Sequence, residues 1–221
     1  MFVRMWMSTE VITVEADTPI LEARDAMKQH NIRRLPVMDK GKLVGIVTQG
    51  DIQEAGPSDA TSLSIWELNY LLARTKVSDI MTPEEDLITV DPNDSVEQVA
   101  LLMREKKVSG LPVLEDNENL VGIVTESDIF SILLSVMGVH KGGSRITLAL
   151  DDQPGKLAGV LDVIKRHKTN VLSLVTCEEC RQSLEDADGK TVVVVRLEDY
   201  DFRKVVKDLK DAGIQVLDAK N

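Results

Sequence analysis

Two threonine–aspartate pairs, Thr48/Asp51 and Thr125/Asp128, carry the first chemistry legible in this chain. Each pair follows a glycine and a β-branched run, Gly45-Ile46-Val47 and Gly122-Ile123-Val124, and each is followed by isoleucine, Ile52 or Ile129. That pattern predicts a buried strand running directly into a helix. A hydroxyl and a carboxylate then sit beside free N–H groups at the positive end of the helix dipole. Together they suit a phosphorylated ribose, the carboxylate accepting from sugar hydroxyls while N–H groups and hydroxyl face phosphate. The same residues can instead cap the helix and do nothing more. Their recurrence in matching surroundings favours a ligand.

The elements that position these pairs also occur twice. Ile12-Thr13-Val14 answers Ile88-Thr89-Val90, and Leu35-Pro36-Val37 answers Leu111-Pro112-Val113, both at an offset of 76. Met7-Ser8-Thr9 answers Met81-Thr82-Pro83, and the glycines Gly45 and Gly122 fall one residue later because of an insertion in the turn around 115–119. A duplication is the direct reading. Each copy reads as a short extended piece (11–14; 87–90), then a helix with one apolar face: Ile20, Ala23, Ala26 and Met27, or Val96, Val99, Ala100 and Met103. Thr18-Pro19 and Asp94-Ser95 are candidate N-caps, Pro19 standing at the first helical position. Two strands follow, joined in the first copy by Asp39-Lys40-Gly41 with glycine at positive φ, and then the helix after the threonine. The order is β-α-β-β-α.

These units resemble CBS domains, which occur in tandem pairs. The resemblance rests on Met7/Met81, Thr13-Val14/Thr89-Val90, the two Leu-Pro-Val runs and the two Gly-x-x-Thr-x-x-Asp motifs. It implies two pseudo-symmetric clefts for adenosyl ligands such as AMP, ADP, ATP or S-adenosylmethionine, each built from both copies. One cleft would use Thr13, Ile32, Arg33, Arg34 and Leu35 with Thr125 and Asp128. The other would use Thr89, Val108, Ser109, Gly110 and Leu111 with Thr48 and Asp51. A residue before proline is held extended, so neighbouring backbone groups can face a base edge. Arg33 and Arg34 make the first cleft cationic and favour multiply charged phosphates; Ser109 and Gly110 leave the second uncharged, Lys106 and Lys107 lying nearby. The two clefts are therefore expected to differ in affinity.

Between the copies, residues 64–74 read as a helix with Trp66 and Tyr70 on one face, covering either the module's own core or a partner subunit. The helix over 129–137 is apolar nearly all round and reads as an interface, since tandem CBS modules commonly pair through such helices. Lys141-Gly142-Gly143-Ser144 reads as a linker. Beyond it the pattern is βαββαβ, a ferredoxin-like sandwich, with Leu157, Val160, Leu161 and Ile164 as the buried face of its first helix. This tail resembles an ACT domain through Asp152-x-Pro154-Gly155-x-Leu157 and Asn170-Val171. The resemblance implies an amino-acid site between paired ACT domains, where Gly155 offers N–H groups to a carboxylate and Asn170 its amide; many ACT domains only dimerise. The fold class is thus α+β, with CBS copies at 1–56 and 77–140, a connecting helical segment at 57–76 and an ACT domain at 144–221.

Composition narrows the function. A net charge of −11 argues against nucleic acid as partner. No run of 18 apolar residues spans a membrane, and the first residues do not read as a secretory signal, so cytoplasm is the default. Cys177 and Cys180 supply at most half of a structural zinc site, and they are expected as ordinary reduced thiols, with metal or redox chemistry as alternatives. No catalytic motif stands out. A CBS pair followed by ACT resembles the acetoin-utilisation protein B (AcuB) family of bacteria. It implies a non-catalytic homodimeric sensor that needs no cofactor or metal, takes adenine nucleotide as regulatory ligand and signals to a separate regulated protein. The competing readings are a structural dimeriser without ligand and a redox or metal protein using Cys177/Cys180.

Overall fold

A β-branched run packs well as a buried strand, and a threonine at its end leaves the chain free to turn into a helix; in both copies the chain does so. The computed structural model describes residues 1–56, 72–116, 118–178, 180 and 190–221. The expected helix bearing Trp66 and Tyr70, most of the connecting segment, and most of the polar stretch before residue 190 lie outside them. The described chain divides into two units, Met1–Ile129 and Phe130–Asn221.

In the first unit, copy one comprises β1 (Val14–Glu15), α1 (Ile20–Gln29), β2 (Arg34–Asp39), β3 (Lys42–Thr48) and α2 (Gln49–Glu54). The second copy has a strand pair, β5 (Gly110–Glu115) and β6 (Asn119–Thr125), flanked by α3 (Val96–Lys106) and α4 (Glu126–Val136). The expected extended piece at 87–90 contributes only a single parallel bridge, Val90 to Val113, where copy one has a short parallel strand pairing Val14 with Val37. The β2–β3 hairpin turns through Lys40 at φ 51° and Gly41 at φ 81°, both central residues left-handed as a two-residue loop of primed type requires. Ser95 caps α3, its Oγ accepting from Gln98 N at 3.2 Å. Thr18 does not cap α1: Pro19 itself occupies the N-cap position and no side chain serves there.

Each copy is completed by the segment that precedes the other. A single 3-10 turn, Val3–Met5, places fully buried Val3 among Val90, Val99, Met103 and Leu111 of copy two. The matching turn, Val77–Asp79, places fully buried Val77 among Ile20, Leu35 and Val47 of copy one. Ser8 then bridges to Ile123, and β4 (Thr82–Pro83) pairs with Ile46 and Gly45. Burying a valine stabilises by roughly 1.5–3 kcal/mol, so this exchange ties the copies into one unit.

The second unit runs β7 (Ser144–Leu150), α5 (Lys156–Arg166), β8 (Val171–Cys177), β9 (Thr191–Leu197), α6 (Arg203–Asp211) and β10 (Gln215–Lys220). This is the expected βαββαβ order, and its antiparallel sheet has strand order β10-β7-β9-β8. Ile146, Leu148, Val193 and Val195 from the sheet meet Val160, Ile164, Val205 and Leu209 from the helices. Leu161, expected in that core, is 39% exposed, and Val163 is buried instead. The linker ends in structure: Gly142 and Gly143 take positive φ, and the buried Ser144 opens β7 and donates to the Asp199 carbonyl at 2.7 Å.

Candidate nucleotide clefts

Both Thr-x-x-Asp motifs fold as reciprocal capping boxes. Thr48 N and Oγ1 donate to Asp51 Oδ2 at 2.7 and 2.8 Å, and Asp51 N donates back to Thr48 Oγ1 at 3.3 Å. In the second copy the corresponding distances are 2.8, 2.7 and 3.4 Å, between Thr125 and Asp128. The capping reading is therefore realised, and it uses only Oδ2 of each carboxylate. The arrangement fixes each threonine at the mouth of a cavity.

The first cavity has a volume of about 330 Å³ and is lined by Ile12, Ile32, Arg33 and Arg34 of copy one, with Thr125 and Asp128 of copy two. The second, about 560 Å³, is lined by Ile88, Val108, Ser109, Gly110 and Leu111 of copy two, with Thr48 of copy one. Both volumes lie in the range of small-molecule sites. The expected residues Thr13, Leu35, Thr89 and Asp51 are not in the linings. Leu35 is wholly buried in the copy-one core, and the isoleucines Ile12 and Ile88 line the cavities in place of the threonines that follow them. Leucine at position 35 alternates with its neighbours along β2, so its side chain goes to the core face.

The glycine of each motif answers to a contact that periodicity does not reveal. A Cβ on Gly45 would collide with the Thr82 carbonyl and Met81 Sδ; one on Gly122 would stand 2.5 Å from Met7 Sδ. Gly45, Gly122, Met7 and Met81 are thus parts of one reciprocal packing. Val3 and Val77, which complete the cores behind the clefts, escaped sequence reasoning; their common spacing to Met7 and Met81 was the available signal.

Arg34 dominates the electrostatics. Its Nη2 donates to Ser109 Oγ at 2.7 Å, and its Nη1 to the Ser109 carbonyl. Burial first, then the neighbouring Arg33 cation, pull its pKa below the usual guanidinium range, against the opposing pull of Glu126 and Asp128. Such a group stays cationic at neutral pH. Four residues, Arg33, Arg34, Ser109 and Glu126, line both cavities.

In the second unit a cavity of about 230 Å³ opens beside the start of α5, lined in part by Asp151, Gly155, Lys156, Lys190 and Gln215. Gly155 sits there at φ 87° as the N-cap of α5. The other residues expected at an amino-acid site lie elsewhere: Leu157 packs against the core, Asn170 Nδ2 donates to Glu198 Oε2 at 2.7 Å, and Asp152 is exposed. The cysteines differ from expectation. Cys177 ends β8, its Cα stands 5.4 Å from that of Cys180, and the two are joined as a disulfide rather than free thiols.

Residues 3–58 and 77–135 match the CBS domain family, and residues 142–220 match the TTHA0829-like ACT domain. The chain belongs to the CBS-domain family: it is a tandem CBS pair followed by an ACT domain. As a class, CBS pairs are regulatory rather than catalytic modules. Among solved structures, the chain is similar to the CBS domain pair of protein MJ0100 in complex with 5′-methylthioadenosine and S-adenosyl-L-methionine, at 34% identity and TM-score 0.50, covering 60% of this chain and 95% of that one. It is similar to CBSX2 in complex with AMP, at 28% identity and TM-score 0.51, covering 61% and 97%. A Vibrio cholerae protein described as an acetoin utilization protein (AcuB) is similar at 26% identity and TM-score 0.52, covering 64% and 96%.

Proposed function

We propose that this chain is a non-catalytic sensor whose two clefts bind adenosine derivatives carrying phosphate or sulfonium groups. One observation carries the reading: two cavities, each walled by the strand-entry segment of one copy and the capped threonine of the other. Two similar structures hold AMP, or 5′-methylthioadenosine with S-adenosylmethionine. In each cleft the extended residues before the Leu-Pro-Val strand face the base edge, and the N–H groups of α2 or α4 face phosphate. In the first cleft Oδ1 of Asp128 accepts from ribose hydroxyls once the ligand is seated. The expected residues outside the linings, Thr13, Leu35, Thr89 and Asp51, act through backbone groups or by holding the cap.

Ligand binding shifts assembly or conformation only by its differential affinity for two states. The exposed face of α4, with Phe130, Leu133 and Val136, gives the homodimer through which that shift is transmitted to a regulated protein. An amino acid in the ACT cavity, its carboxylate on the N–H groups after Gly155, supplies a second input, as an AcuB-like role in a bacterial cytoplasm would use. The test is thermal unfolding of the purified chain with AMP, ATP and S-adenosylmethionine. A ligand at a hundred times its Kd adds about 2.7 kcal/mol. Absence of any shift with all three refutes the reading.

A further inference from the structure

The repeat is broken most consequentially at one pair of positions. Where copy one has Arg34, copy two has Gly110, at the same point before the Leu-Pro-Val strand. The structure puts the two against each other: a Cβ on Gly110 would overlap the Arg34 guanidinium, so glycine clears the space that arginine fills. The guanidinium is anchored on the far copy, through the Ser109 carbonyl and, at 2.7 Å, through Ser109 Oγ. It belongs to the wall of both cavities.

We propose that Arg34 is one phosphate-selecting group shared by two clefts, so that a phosphorylated ligand drawing it into one cleft withdraws it from the other. This rests on the nucleotide reading above. A planar fork of donors satisfies one phosphate at a time, and the duplicate position, being glycine, supplies no second guanidinium. Arg33 also lines both cavities and Lys107 the second, but Arg34 is the guanidinium bonded to Ser109 of the opposite copy in the wall the cavities share. Both clefts alone thus have access to Arg34, but both together do not. The coupling is negative and appears only for ligands with phosphate.

The experiment is calorimetric titration of the full chain with AMP and with adenosine, in single-cleft variants. Asp128→Ala disables the first cleft and Asp51→Ala the second; Thr125→Ala and Thr48→Ala replace them should the aspartate variants fail to fold. In each background the surviving cleft is expected to bind AMP tightly, and adding Arg34→Ala to weaken it about tenfold or more, with adenosine unchanged. In the chain with both clefts intact, the second AMP is expected to bind about tenfold more weakly than the first. Weakening by Arg34→Ala at one cleft only, or equally for adenosine, overturns the shared-arginine inference while leaving nucleotide binding intact. No AMP binding to the unmodified chain overturns the nucleotide reading itself.

Discussion

Gly45→Ala and Gly122→Ala are formally the same substitution at duplicated positions, yet the packing predicts different outcomes. Neither glycine has positive φ, so adding a methyl gains about 0.4–1 kcal/mol by restricting the unfolded chain. What opposes that gain differs. At Gly45 the new Cβ would meet the Thr82 backbone carbonyl, with Met81 Sδ at 2.8 Å and Cγ at 3.3 Å. Thr82 is held in β4 by pairing with Ile46, so the strand itself must shift. Overpacking of that kind costs about 1–3 kcal/mol, and with backbone that cannot yield the cost sits at the upper end, leaving a net loss of about 2 kcal/mol. At Gly122 the closest groups are Met7 Sδ at 2.5 Å and Cγ at 2.9 Å, with the Ser8 carbonyl at 3.1 Å. A methionine side chain can swing aside, so the net loss there stays below about 1 kcal/mol. Both tryptophans, Trp6 and Trp66, lie in the first 129 residues. Urea unfolding followed by tryptophan fluorescence therefore reports the CBS unit separately, and midpoints at unchanged slope give the two losses. Equal losses, or a greater one at Gly122, would refute the claim that backbone against side chain decides the cost.

Val3→Ala removes two methyl groups from the copy-two core, and a loss of roughly 1–2 kcal/mol is expected in the same fluorescence assay. Because Val3 packs among copy-two residues, hydrogen exchange should quicken in α3 and β5 before α1; the reverse order would disprove the exchange of segments. Thr48→Ala deletes the hydroxyl that accepts from Asp51 N and should cost about 1 kcal/mol as a lost N-cap, read from the denaturation midpoint. In the ACT unit, the hydrogen bond from Arg145, and then the Lys220 and Arg145 charges, lower the Asp218 pKa. A carboxylate lowered in the folded state stabilises above its unfolded pKa and loses that contribution as pH falls through its folded one. The loss therefore belongs below about pH 4. The pair is solvent-exposed and screened, so its worth is well under about 1 kcal/mol; Asp218→Asn should flatten acid unfolding of the ACT unit slightly and leave neutral stability nearly unchanged.

Much of the fold was legible because it depends on local patterns. The β-branched runs ending in Thr48 and Thr125, the hairpin at Lys40-Gly41 and the β-branched run over 191–197 each specify an element without help from distant residues. The juxtaposition of segments was legible where the repeat itself brings them together: Ile32, Arg33 and Arg34 line one cavity with Thr125 and Asp128. What escaped depends on packing between copies. Apart from their shared spacing to Met7 and Met81, nothing marks Val3 and Val77 as core, since each is buried by residues of the opposite copy. Leu35 and Thr13 stand outside the cavity linings for a related reason. Strand alternation says that one of two neighbours faces the ligand, and only the partner copy decides which. The disulfide was missed because C-x-x-C spacing is compatible with thiols, metal or a bridge, and the backbone separation that selects among them, 5.4 Å between the Cα atoms, is not written in the spacing.

The reciprocal exchange also constrains how the clefts can work. Each cavity needs a threonine held by one copy's cap and an entry segment from the other, and each core needs a valine from the segment preceding its twin. Neither copy can open or tighten its wall without pulling on residues that line the second cavity. In a strictly symmetric pair that linkage would favour equal occupancy. Arg34 facing Gly110 removes the symmetry in the wall the two cavities share, because one anchored guanidinium stands where two ligands would each use one. A duplicated scaffold with one guanidinium anchored across its copies therefore has three states of ligation that differ in charge placement: empty, singly filled and doubly filled. The singly filled state is the one in which phosphate and guanidinium are both satisfied, and it should dominate over a span of ligand concentration set by the tenfold coupling above.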